Sequence, residues 1–457
     1  MQTYNRRQAL KYGAVGLGTL AIGACSGTSS TSTGTKTVQK GASESVGILY
    51  DWTYNGPPGQ VEKYWKTIQS RLSTGDRGVQ LASRTETTFE NLYAQEEAAA
   101  TAKSGSDLTA WFADYHTFRE AYRSNIVAID KLVAPGAQSH WLLNSSKFNG
   151  SYWGSPLVME IAVMAVNRKL LRTAKVDVGD RWESWDAFLA ACDKLKSAGI
   201  RPIQAGTSDG FNAEKWLYLL EFQVCDDITS LLGGITGDLS LDSPFFAFPR
   251  EQLALLVSKY MNEGPQNDTE TVANTKFLQG SAAMTLTYTS TIFDKSVSED
   301  FDVVGFPASN AKYNRPAVGV ADNIVVMNYS HNQEAAGKLL QFLSEPAQVQ
   351  LWWELNGSLP ANDQLDISNF TARENKVWQM VIPKKNDPYA LWWPGNQPPD
   401  SLFTFQYGVT QSMFAGTSPS DAKNATDRIF STWRDQNPAE LAIVKAYKTA
   451  LAQSTAQ

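Results

Sequence analysis

The chain has 457 residues, with 46 acidic against 40 basic side chains and a formal net charge of −6. That acidity argues against nucleic acid as a partner, and the length exceeds one ordinary core, so two lobes are expected. No apolar run beyond the first 25 residues is long enough to span a bilayer.

In chain order the first segment is an address. Arg6-Arg7-Gln8-Ala9-Leu10-Lys11 resembles the twin-arginine export signal, and the uncharged run 12–24 has the length of a signal-peptide apolar region. Ile22-Gly23-Ala24-Cys25 resembles the bacterial lipobox, which implies cleavage before Cys25 and a diacylglycerol on its sulfur. Residues 1–24 are therefore read as a lipoprotein signal peptide. Residues 25–44, dominated by Ser, Thr, Gly and Lys, are read as a flexible tether. Removing the signal leaves 433 residues and takes the net charge to about −9, since Arg6, Arg7 and Lys11 leave with no acid. The G-x-G-x-x-A at 16–21 follows no strand and is not a nucleotide fingerprint.

Ser45 to Tyr50 reads as a strand, and Val61, Tyr64, Trp65, Ile68 and Leu72 recur at helical spacing. Gly78 to Thr85 is a second strand, Thr87 to Glu90 a capping box opening a helix, and Asp107 to Ala113 a third strand. This order implies parallel strands with helices on both faces and ligands at the carboxyl ends of the strands. Asp51, Trp52, Arg84, Glu86, Asp114 and Tyr115 all fall just past those ends. The alternation resumes with a helix 182–198, a strand 201–206 and a helix 213–224. Strands follow at 282–287, 301–304 and 321–326. Asn332 is expected to cap a helix to Leu343, and a second helix begins at Pro346 and stops at Gly357.

Of three cysteines, Cys192 and Cys225 remain for the fold. Cys192 lies on the apolar stripe Trp185, Phe188, Leu189, Cys192, Leu195 and reads as a core thiol, while a disulfide to Cys225 stays open. Fourteen tryptophans are more than a core of this size usually needs, so some are expected at a surface or in a cleft. No G-x-S-x-G, H-E-x-x-H, Walker loop or C-x-x-C is present, and His116, His140 and His331 have no ligand spacing. No metal, cofactor or catalytic residue is expected, although structural calcium stays open.

Several blocks carry a resemblance to family 1 extracellular solute-binding proteins of ABC importers, the maltose-binding-protein type. They are Ser151-Tyr-Trp-Gly-Ser-Pro156 with Ala165-Val166-Asn167, Trp185-Asp186-Ala187-Phe188, Lys194 to Gly199 with Pro202-Ile203, Phe277 to Met284, and Ala335-Ala336 through Leu343. Their order and spacing carry more weight than any one of them. The resemblance implies an α/β, two-lobed periplasmic-binding-protein type II fold: two doubly wound sheets joined by a multi-crossing hinge. Residues 45–157 and 322–366 would form the first lobe, 158–321 and 367–457 the second. It also implies a monomer on the outer face of the membrane, held there by lipid alone, that binds a carbohydrate and passes it to permease subunits.

A sugar offers apolar C–H faces to aromatic rings and hydroxyls to polar pairs. Glu160 interrupts the apolar stretch 157–166, where a carboxylate needs a partner, and falls on a sugar-binding position of the maltose-binding type. Trp111 and Asp114 fall on further sugar-contacting positions. Tyr115 stands where that relative has a basic residue, which argues against maltodextrin. Trp111 is equally suited to a strand core. Arg84 and Glu86 follow the second strand as Asp51 and Trp52 follow the first. In the second lobe, Phe211, Trp216 and Phe403 match aromatic-bearing segments, Tyr288 stands near a family tryptophan, and Asp322 enters an apolar strand at a crossing. Trp392-Trp393 form an aromatic pair in a Pro-rich stretch. A binding protein for a non-sugar or phosphorylated solute, a sensory lipoprotein and a secreted glycan hydrolase are the alternatives.

Overall fold

The computed structural model describes residues 44–50, 59–75, 77–87, 89–142, 146–208, 210–307, 318–382 and 398–455. Cys25, Asp51, Trp52, Trp392 and Trp393 lie outside the described residues, as does Thr88, which the expected capping box spans. Residues 43–457 form one compact unit.

Eleven strands are found among the described residues: β1 Glu44–Tyr50, β2 Val79–Glu86, β3 Leu108–Phe112, β4 Lys147–Phe148, β5 Ser151–Tyr152, β6 Ser155–Asn167, β7 Ile203–Gln204, β8 Met284–Tyr288, β9 Phe301–Val304, β10 Val318–Val326 and β11 Leu359–Pro360. Nine of them form one mixed sheet in the order β2-β1-β3-β10-β6-β8-β7, with β9 and β11 also paired to β6. β1 runs parallel to β2 and β3, and β7 parallel to β8. β10 and β6 run antiparallel to each other and to their flanking strands. β6 pairs with β10 along Ser155 to Ala162 and with β8 along Ala162 to Val166. The two expected sheets are thus stitched into one hydrogen-bonded surface by two long strands that continue from one half to the other.

The flanks follow from periodicity. Helix Gln60–Thr74 buries Val61, Tyr64, Trp65, Ile68 and Leu72, the stripe read from sequence. Full burial of five such side chains stabilises by about 10 kcal/mol before entropy is counted. They pack with β1, β2, β3 and helix Gln333–Leu343 in one core that also takes Trp352. A larger core collects residues from β6, β8 and the helices between 185 and 451. Helix Pro346–Asn356 starts on proline and ends at Gly357, whose φ of 69° suits a residue without a Cβ.

Three expectations need correction. The helix expected from Trp182 starts at Trp185, because Ser184 is extended and its Oγ accepts from the Ala187 N–H. Trp182 is buried in the core instead. Strand 201–206 shrinks to Ile203–Gln204. Asn332 holds the N-cap position but makes no side-chain cap; its Nδ2 donates to Asp107 Oδ1 at 3.2 Å. No disulfide joins Cys192 and Cys225, both of them buried, and burial pushes Cys192 well above the ordinary thiol range.

Candidate functional site

The strand register builds a meeting point. Phe112 at the end of β3 pairs with Asp322 of β10, and Asp322 pairs with Val158 of β6. Val320 pairs with Glu160, and Ala162 pairs with Tyr288 at the end of β8. Because directly opposed residues share a face and strands alternate, positions 112, 322, 158, 160, 162 and 288 lie along one face of the sheet. Glu160 sits at the centre of that row, and its side chain is outside the described residues.

Asp114 follows β3 immediately. It is 5 % exposed and holds φ 62°, ψ −129° at the N-cap of helix Tyr115–Tyr122. A non-glycine residue rarely adopts that backbone, and such strain concentrates at functional sites. Asp322, the strand partner of Phe112, is also buried, and the neighbouring Asn323 donates to Thr117 Oγ1 at 3.3 Å.

Other sequence-selected residues are committed elsewhere. Tyr115 is fully buried; its hydroxyl donates to Glu440 Oε1 at 2.5 Å, and its ring packs on His116 and Tyr447. Arg123 donates to the other Glu440 oxygen at 2.6 Å. Trp111 is buried edge-on to Tyr93, with the Arg119 guanidinium 6.0 Å from its ring centre. Trp216 is buried in the larger core. Arg84 forms a two-pronged pair with Glu62 at 2.6 and 3.2 Å, which draws the Glu62 carboxyl below its ordinary range. Tyr50 donates to the same carboxylate, and burial with that negative charge pushes its phenol up to about 12. Glu86 is exposed beside this cluster. Phe211 and Phe403 lie on helices Gly210–Glu221 and Asp400–Phe414, their side chains outside the described residues.

The sequence reading missed Lys215. Its ammonium is 2 % exposed, pairs with Glu270 at 2.6 Å and lies 4.0 Å over the Tyr288 ring. A lysine between Glu214 and Trp216, on a helix whose apolar residues Ala213, Trp216, Leu217, Leu219 and Leu220 mark it as packed, was the available signal. Also missed were Thr287 and Thr289 at the carboxyl end of β8, whose buried hydroxyls have no hydrogen-bond partner among the described residues. Burial first and the Glu120 charge second push the Glu96 carboxyl up to about 9. Among the described residues no cluster of three or more His, Cys, Asp or Glu is placed to hold a metal. The described site offers carboxyl, amide and hydroxyl groups beside a tyrosine ring, an arrangement that recognises hydroxyl-bearing solutes.

The family model for bacterial extracellular solute-binding proteins matches residues 74–377. No curated protein is matched by sequence. Among solved structures, a chitin oligosaccharide binding protein superposes with a TM-score of 0.67 at 16 % identity, over 85 % of this chain and 98 % of that one. The bacterial solute receptor AcbH, described as exclusively preferring β-D-galactopyranose, gives 0.73 at 15 % identity, over 86 % and 99 %. A Listeria monocytogenes ABC substrate-binding protein in complex with cycloalternan gives 0.61 at 15 %, over 86 % and 99 %. These likenesses show the two-lobed fold. Among the described residues no helix is long and apolar enough to cross a membrane.

Proposed function

We propose, from the premise that this chain belongs to the bacterial extracellular solute-binding protein family, that it binds a carbohydrate between its lobes and delivers it to an ABC permease. One observation supports the reading: the register sets Asp322, Glu160 and Tyr288 on one face of neighbouring strands β10, β6 and β8, with Asp114 two residues past Phe112, the strand partner of Asp322. Acidic and aromatic groups at that point suit a neutral polyol, whose hydroxyls pair with carboxylates and whose C–H face covers a ring. Structural neighbours described with chitin oligosaccharide, β-D-galactopyranose and cycloalternan support the class. The lobe boundaries 45–157 with 322–366 and 158–321 with 367–457 are part of the proposal, as is a lipid anchor at Cys25.

The proposed work is binding without chemistry. Ligand docks on one lobe, the other closes over it, and the permease selects the closed form through its differential affinity for the two states. A lipid on Cys25 would raise the local concentration of the protein at the membrane.

A thermal-shift screen against neutral mono-, di- and oligosaccharides, sugar phosphates and non-sugar solutes tests this. At a ligand concentration 100-fold above Kd, native-state binding contributes about 2.7 kcal/mol. A shift with one neutral sugar class, removed by Glu160→Ala or Asp114→Ala, is the expected result. A shift confined to a non-sugar solute refutes the carbohydrate assignment.

A further inference from the structure

A second polar centre lies away from that row, inside the helical part of the larger core. A cavity of about 40 Å³ opens between helices Gly210–Glu221, Ser230–Thr236, Pro244–Lys259, Asp400–Phe414 and Pro419–Gln436. Its lining includes Glu214, Tyr218, Glu221, Arg250 and Gln406. Glu214, Tyr218 and Glu221 are each no more than 3 % exposed. The Tyr218 hydroxyl donates to Glu214 Oε2, and Arg250 donates to the Leu241 carbonyl at 2.5 Å. Glu221 Oε2 and Gln406 Oε1 have no hydrogen-bond partner among the described residues. A space of this size has room for about three or four waters at roughly 10–15 Å³ each. Arg250 in the same wall disfavours a cation.

The cavity sits behind the two helices that carry Lys215, Phe211 and Phe403. Those helices are in close contact: a Cβ on Gly210 would come within 2.5 Å of Tyr407 Cβ. Glu221 faces the charge of Arg250 on helix Pro244–Lys259 and acts on Glu214 and Tyr218 of its own helix, while Asp242 and Glu251 lie around Arg250. Tyr407 faces Tyr218 from helix Asp400–Phe414. Helices Ser230–Thr236 and Pro419–Gln436 add Leu231, Thr426 and Phe430 to the lining.

We propose that this cavity is a hydrated carboxylic-acid nest that clamps helix Gly210–Glu221 to helix Asp400–Phe414 while its acids keep their protons, and loosens the clamp in alkaline medium. The physical reason is desolvation. Two carboxylates with one guanidinium in a shared buried space cannot both ionise cheaply. Burial raises Glu214 well above its ordinary range and Glu221 to about 8. Acids raised in the folded state contribute stability that is complete below about pH 4.3, their unfolded value, and is lost as pH rises through the folded value. The folding equilibrium should therefore fall about tenfold per pH unit for each group within that window. The consequence for the ligand wall rests on the carbohydrate-cleft reading; the clamp itself does not.

The test uses the purified unliganded protein, so it stands apart from the identity of the ligand. Melting temperature is followed from pH 5 to pH 9 for the wild type, Glu221→Gln and Glu214→Gln. Hydrogen exchange is followed at pH 6 and 9 with rates corrected for intrinsic pH dependence. The expected result is a decline from pH 5 upward that either variant reduces, with exchange protection lost first in residues 210–221 and 400–414. A melting temperature flat across this range overturns the proposal. So does a decline that neither variant changes, or protection lost uniformly over the whole chain.

Discussion

Replacing Glu440 by alanine is the most informative single perturbation of the core. Its carboxylate accepts from the fully buried Tyr115 hydroxyl at 2.5 Å and from Arg123 at 2.6 Å. Removing the acceptor of a buried hydroxyl costs about 1–3 kcal/mol. The Arg123 arm adds at most about 1 kcal/mol, because its guanidinium is 34 % exposed and keeps Glu97 and Glu120 at 3.6 and 3.9 Å. The sum is about 1–4 kcal/mol. At roughly 2 cal/mol/K of unfolding entropy per residue, a chain of this length loses about 1 °C per kcal/mol, so the melting temperature should fall by about 1–4 °C. Tyr115→Phe removes the donor but leaves the Glu440–Arg123 pair, and should cost about 1 °C. Scanning calorimetry on both variants measures this. A Glu440→Ala protein that melts with the wild type, or a Tyr115→Phe loss larger than that of Glu440→Ala, refutes the reasoning. It would also reopen a ligand role for Tyr115.

Ile68→Ala removes a side chain with no exposure from the first core and should cost about 2–5 kcal/mol, read as a lower melting temperature with unchanged ligand affinity. Cys192 and Cys225 should resist thiol reagents until the protein unfolds, and reduction should leave gel mobility unchanged. A bridge between them on a non-reducing gel would contradict the structure. Glu96, raised to about 9, stabilises fully below about pH 4.3 and loses that contribution as pH climbs through its folded value. Glu96→Gln should therefore gain stability relative to the wild type between pH 5 and pH 9 in denaturant titrations.

Much of the architecture was legible because it rests on periodicity. The stripe Val61 to Leu72 and the strands at 45–50 and 79–86 are local patterns, and local propensity agreed with tertiary packing there. The mixed sheet was harder. Between Ser155 and Asn167 the strand is apolar except for Glu160, and no periodicity distinguishes a long strand with partners on both sides from a buried helix. Site residues divided along similar lines. Asp114 was singled out by its place just past a strand end and by the resemblance to the maltose-binding type, and its positive φ adds an observation no sequence displays. Tyr115 and Trp216 carry the aromatic signal expected of a sugar platform, yet sit in the core. An aromatic residue looks alike in both roles, and its partners Glu440 and Tyr447 are hundreds of residues away. Lys215 was passed over because its carboxylate partner Glu270 and its aromatic partner Tyr288 come from two other elements.

The most direct test of the central claim is calorimetric titration of the wild type and Asp114→Ala with the neutral carbohydrates. The account predicts saturable binding of one sugar class at one site per chain, weakened about tenfold or more in the variant by loss of a buried hydrogen bond to the ligand. Equal affinity of the two proteins, or no heat with any carbohydrate while a non-sugar solute binds, would contradict it.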